Sequence, residues 1–193
     1  MRNMAKKYEF KPDKPRSGFL SKLFLTRKQR RAVLKWTLYA LVLVVLSVLQ
    51  DVLLCRVRLF GASTELVPCG IFLICVLEGL ERGSVFALAA SLIYLFSGTA
   101  PGVYTIVFIT ALAVLVTWLR QSYLQSGFAA AMLCTAAAML VYELATFFIG
   151  LFLGLTTLSR IGSFCVSALM TMPAAPVLYP VCKAIGGGDT WKE

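Results

Sequence analysis

The chain contains no histidine in its 193 residues. That removes the commonest general base and metal ligand, and with it the Ser–His and Cys–His pairs of nucleophilic catalysis. Acidic residues are few, nine against 19 Lys and Arg, and no carboxylates cluster at metal-ligand spacing. No phosphate-binding glycine loop occurs. The six cysteines, Cys55, Cys69, Cys75, Cys134, Cys165 and Cys182, form no C-x-x-C pair. Most lie in apolar runs, where Cys acts as a small hydrophobe, so neither a disulfide framework nor a metal site is expected. No inverted repeat or pair of broken helices marks a transporter. These absences predict a non-enzymatic protein without cofactor or metal.

Hydrophobic residues make up 59% of the chain and mean hydropathy is +0.82, against ~45–50% apolar residues in soluble domains. The excess lies in consecutive blocks after residue 32 and does not alternate. Alternation would indicate a barrel; unbroken blocks indicate spanning helices. The sequence therefore predicts an all-α integral membrane protein, a bundle of about six transmembrane helices over residues 33–185. The expected spans are Val33–Leu54, Leu66–Leu80, Ser84–Phe96, Val103–Leu119, Gly127–Phe152 and a proline-kinked Gly162–Ala184. A basic cytoplasmic arm, 1–32, precedes them and a polar cytoplasmic tail, 186–193, follows. The arm is too basic and the first apolar run too long for a signal peptide.

The stretch Gly61–Gly102 organises this reading. Two apolar runs flank a polar knot, Glu78-Gly79-Leu80-Glu81-Arg82-Gly83, which reads as the tight turn of a transmembrane hairpin meeting water or headgroups at one membrane face. Arg120-Gln121-Ser122 and Ser97–Gly102, with Pro101 and Gly102, read as further turns. Small residues crowd the first half of the fifth span, and Gly150 and Gly154 have G-x-x-x-G spacing, so that helix is expected at the bundle centre.

The formal charge of +10 is concentrated at the front: twelve of the 19 cations fall at or before Lys35. A basic block beside a span points to anionic lipid headgroups and cytoplasmic retention rather than to nucleic acid. Residues 18–28 read either as a short amphipathic segment on the membrane surface or as part of a solvated basic tail. With six spans and the N-terminus inside, the inner segments hold the arm cations plus Arg82, Arg120, Lys183 and Lys192. The outer ones hold Arg56, Arg58 and Arg160. That asymmetry fits the positive-inside rule with both termini cytoplasmic; five or seven spans would put the C-terminus outside. Three carboxylates interrupt apolar runs, Asp51, Glu78 and Glu143. Intramembrane carboxylates cost ~2.5–3.5 kcal/mol near the centre and are functional candidates. Glu143 is the deepest, with Tyr142, Arg160 or a hydroxyl on another helix as candidate partners.

The order of features resembles the MreD family of bacterial rod shape-determining membrane proteins. Gly61-x-x-Thr64-Glu65-Leu66 resembles its Gly-x-x-Pro-Asp-Leu entry to the second helix, and Glu81-Arg82-Gly83 its Arg-Gly at the third. Pro101-Gly102 resembles its turn into the fourth, and Pro173-x-x-Pro176-x-Leu178-Tyr179-Pro180 its last helix. Thr64 departs from the family's Pro, and Leu92-Ile93-Tyr94 from an Asp common near the end of the third helix. The resemblance implies a multi-pass scaffold of the bacterial cytoplasmic membrane. It would serve the cell-wall elongation machinery beside MreC, MreB, RodA and a class B penicillin-binding protein. The family fold resembles the S-component of energy-coupling-factor (ECF) transporters. The alternative is therefore a vitamin-binding membrane subunit, although the first span carries no Ala-x-x-x-Ala pair for docking a transporter.

Overall fold

The computed structural model describes residues 27–52, 64–98, 100–124 and 127–186. Arg56, Arg58, Gly61, the arm up to residue 26 and the tail from residue 187 lie outside the described residues. The described residues form seven α-helices in order: α1 Arg27–Val52, α2 Leu66–Glu78, α3 Leu80–Phe96, α4 Tyr104–Tyr123, α5 Phe128–Phe152, α6 Ile161–Thr171 and α7 Ala174–Gly186. A 3₁₀ turn, Leu158–Arg160, leads into α6. No strand occurs among the described residues. The chain falls into two units, 1–34 and 35–193. The described part of the first is the opening of α1; the second is the bundle.

Among the described residues three helices are long and apolar enough to cross a membrane: α1 over Arg30–Val52, α4 and α5. The bent pair ending in α7 makes up to four. They mark the chain as a helical membrane protein. By length alone these are three or four of the about six expected spans; the second and third expected spans, short already in the sequence, are α2 and α3. α2 and α3 have 13 and 17 residues, about 20 and 26 Å at 1.5 Å per residue, against a hydrocarbon core of ~30 Å.

The shortest apolar helix is the one at the centre. α2 packs against α3, α4, α5 and α7, and every residue from Leu66 to Val76 is buried. Its sequence is apolar all round, as a helix covered on all sides must be. Pro68 stands in its first turn, where a missing N–H breaks no helical bond. α5, expected at the centre, packs against α2, α4, α6 and α7 along one buried stripe including Ala131, Cys134, Thr135, Ala138, Tyr142 and Glu143, while α2 is the helix covered on every side. Small residues admit close approach on that stripe and on α3 at Ala87 and Ala90, which is how helices associate where lipid is as apolar as the side chains. Gly154 makes no helix contact: it is the left-handed cap of α5, φ 70°. The Leu155 amide donates to Gly150 O at 2.8 Å and the Gly154 amide to Leu151 O at 3.1 Å, the paired bonds of a Schellman ending.

α1 runs antiparallel to α2. Tyr39 near its start reaches Glu78 at the end of α2, and Gln50 near its end accepts from the Val67 amide at 3.1 Å. Tyr39, Leu43 and Leu46 are its buried seam, and the remaining faces expose Leu41, Val44, Val45 and Val48.

The expected six-residue turn is a single residue. Gly79, at φ 89°, joins α2 directly to α3, a backbone angle that suits only glycine without strain. Glu81, Arg82 and Gly83 belong to the first turn of α3. Arg120, Gln121 and Ser122, expected as a turn, likewise lie within α4, with the Arg120 side chain turned back into the bundle to Val76 O. The last span breaks at Met172-Pro173 into α6 and α7, with a bend of 41° for the pair. Pro173 falls in the break, Pro176 in the first turn of α7 and Pro180 inside it, in keeping with a ring that cannot donate to a continuing helix.

Candidate functional site

Polar side chains inside the bundle gather in two layers, one toward each end. The first lies where α1 and α3 begin and α2, α4 and α7 end. Lys35 Nζ is 2.6 Å from Glu78 Oε2. The Tyr39 hydroxyl donates to Glu78 Oε1 at 2.5 Å and also lies 3.3 Å from Cys182 O. One carboxylate thus ties α1, α2 and α7 together. Glu78 was expected to meet water or headgroups; it is buried, because Lys35 and Tyr39 supply its partners from inside. A Cβ on Gly186 would fall 2.7 Å from the Tyr39 hydroxyl and 3.1 Å from Glu78 Oε1, so the end of α7 closes over the pair. Arg120 Nη1 donates to Val76 O, satisfying a carbonyl of the last turn of α2. Arg82 and Lys183 stand exposed at this same end.

The second layer joins four helices near the opposite end. Ser167 Oγ in α6 donates to Glu143 Oε1 in α5 at 2.7 Å. Thr171 Oγ1 donates to Ser167 O at 2.8 Å and accepts from the Glu65 amide at 3.2 Å. Glu65 holds the N-cap position of α2 yet makes no side-chain cap bond; Gln50 caps Val67 instead. The Glu65 carboxylate turns inward, facing Tyr142 and the charge of Glu143. Tyr142 faces Thr105 of α4 on its other side. Of the three partners expected for Glu143, the interhelical hydroxyl is the one found.

The other sequence candidates stand apart from both layers. Asp51 is exposed near the end of α1. Pro101 and Gly102 form the α3–α4 turn; a Cβ on Gly102 would lie 2.6 Å from the Tyr104 ring. Pro173, Pro176 and Pro180 are exposed. Gly83 packs against the backbone of α2 at Cys75. Sequence reasoning named Tyr142 only as a possible partner of Glu143 and passed over Lys35, Tyr39, Thr105, Ser167 and Thr171 as site residues. Tyr142 had a legible signal, a phenol beside an intramembrane carboxylate; the hydroxyl residues had none, since Ser and Thr are ordinary in spanning helices.

Replacing Arg120 by Leu leaves the Val76 carbonyl without its charged donor. A lost hydrogen bond to a charged group costs about 2 kcal/mol, and this should appear as a lower free energy of unfolding in mixed micelles. A value equal to wild type would show the contact to be neutral. Comparison of the chain with family models, with curated proteins and with solved structures finds no match in any of the three.

Proposed function

We propose that the chain is a non-enzymatic scaffold subunit of the bacterial wall-elongation machinery, crossing the cytoplasmic membrane six times with both termini inside. The observation that carries this reading is the charge polarity of the bundle. Lys35, Arg82, Arg120 and Lys183 come to one end, and the Glu65–Glu143 layer lies toward the other. Cations gather on the cytoplasmic side of membrane proteins, and the twelve cations up to Lys35 precede that same end in sequence. A centre filled by an apolar helix suits a body that positions partners more than one that encloses a solute. The short α2 fits a six-pass arrangement because a helix covered by protein has no lipid thickness to match. By resemblance the partners are MreC, MreB, RodA and a class B penicillin-binding protein, with anionic lipid under the basic arm.

A second reading, a solute-binding subunit related to ECF S-components, is favoured by one observation, the polar layer inside the bundle at Glu65, Tyr142 and Glu143. Depletion in a rod-shaped host separates the two. Rounded cells, with MreC-like and wall-synthesis proteins co-purifying in mild detergent, support the scaffold. Normal shape with a vitamin requirement, and co-purification of an ATPase pair, sinks it in favour of the solute-binding subunit.

A further inference from the structure

We infer that the layer between Glu65 and Glu143 is a binding site for a small, hard monovalent cation of the sodium type. The inference does not depend on the wall-machinery reading.

Three oxygens inside this layer are left without bonds. Tyr142 and Thr105 are both fully buried, and neither hydroxyl closes a hydrogen bond of normal geometry; nor does the buried Oε2 of Glu65. Yet Tyr142 lies between the other two, facing Glu65 on one side and Thr105 on the other. Three interior oxygens from α5, α4 and the entry to α2 thus face one another across gaps too wide or too oblique to bond. Buried polar groups are nearly always satisfied, and a set that is not points to a water or an ion between them. Phenol and threonine hydroxyls could satisfy each other by a small rotation if nothing lay between. A water would meet the hydroxyls, whereas a cation would in addition relieve the repulsion between two carboxylates.

Charge selects the ion. Glu65 faces Glu143, Tyr142 and Tyr104, and Glu143 accepts from Ser167; among the described residues no Lys or Arg joins them. Two carboxylates facing each other in an apolar bundle repel, and a small cation relieves that repulsion. The donors are all oxygen, carboxylate and hydroxyl, which suits a hard cation rather than a thiolate- or imidazole-binding metal. No group of three or more acidic, Cys or His residues converges among the described residues, which is thin for calcium with its six to eight oxygens. Glu143 accepts from the neutral Ser167 hydroxyl, which orients its carboxylate without cancelling its charge, and the Glu65 carboxylate is the one turned to the gap.

The neighbourhood is built to hold these groups. The Glu65 backbone is tied to Thr171, Thr171 to Ser167, and Ser167 to Glu143. The chain of bonds runs along α6 to the Met172-Pro173 break. Broken helices near ion sites are a recurring device in membrane proteins, because the freed carbonyls add negative potential. Gln50, by capping Val67, releases Glu65 from the N-terminal amides it would otherwise bond.

The test is thermal unfolding of the purified full chain in detergent, with NaCl exchanged against choline chloride at constant ionic strength. A ligand that binds only the folded state raises the midpoint with a saturating dose response. Sodium should do so, potassium more weakly. Glu65→Gln should abolish the response, and Tyr142→Phe should raise the half-saturating sodium concentration about tenfold, the loss of one modest contact. Arg82→Gln, at the other end, should leave the response unchanged. Wild-type protein alone decides the matter if a variant fails to fold. A midpoint indifferent to sodium overturns the inference in favour of a water-filled layer, and a response to calcium alone overturns the monovalent assignment.

Discussion

Glu78→Leu is expected to lower the stability of the bundle by about 3 kcal/mol, the cost of leaving one member of a buried ion pair without the other. The Glu78 side chain is 1% exposed and that of Lys35 17%, so the ammonium keeps only a narrow path to water. The loss reaches three helices, since the same carboxylate accepts from Tyr39, whose hydroxyl also lies 3.3 Å from Cys182 O. Adding Lys35→Leu should restore most of the deficit: with both charges gone, no ion is left buried, and apolar replacements of ion pairs are often neutral. Reversible unfolding in mixed micelles of the two single variants and the double variant reads this as a coupling energy. Additive losses would show that Lys35 and Glu78 do not act as a pair. A Glu78→Leu loss within ~0.5 kcal/mol, the ordinary range of a surface change, would show the carboxylate to be solvated after all.

The helices were legible in the sequence because apolar runs of the right length have one stable outcome in lipid. Their mutual arrangement was not, and the residues show why. Arg120-Gln121-Ser122 has the composition of a turn, but the arginine finds Val76 O, 44 residues earlier, and the helix continues through it. Tyr39 and Cys182 O are 143 residues apart, and Glu65 and Thr171 are 106 apart; nothing local to any of them announces the other. Glu78 looked like a residue ending a helix at water because the partner that keeps it inside is on α1. Small residues pointed to α5 as the centre, and they do line its buried stripe. But the central place went to α2, whose uniform hydrophobicity gives no face a preference and so no direction from which to infer its neighbours. Of the candidate site, Glu143 and its interhelical hydroxyl were anticipated. Glu65 entered the reading only as a helix-entry residue, since its inward turn depends on Gln50 taking over the cap.

Gly83 should be the least tolerant position of the α2–α3 hairpin. A Cβ built there would lie 2.9 Å from Cys75 O and 3.0 Å from Cys75 Cα. Those are backbone atoms of a helix held on every side, so no side-chain rotation relieves the clash. The Gly79 link leaves no slack either, since one residue joins the two helices. Gly83→Ala therefore forces α2 and α3 apart, stretching the bond from Cys75 Sγ to Gly83 O, now 3.1 Å. Overpacking of this kind costs typically 1–3 kcal/mol, and about 2 kcal/mol is expected here. Gly83→Leu should prevent the hairpin from closing and leave little folded protein. The contrast is Gly162→Ala in α6. No atom lies within 4 Å of a Cβ there, and a helical alanine is favoured over glycine by up to ~1 kcal/mol. The two substitutions add the same methyl group and should move unfolding free energy in opposite directions. Equal effects at the two sites would mean that helix propensity, not the approach of α3 to the Cys75 backbone, sets the tolerance of this bundle to a methyl group.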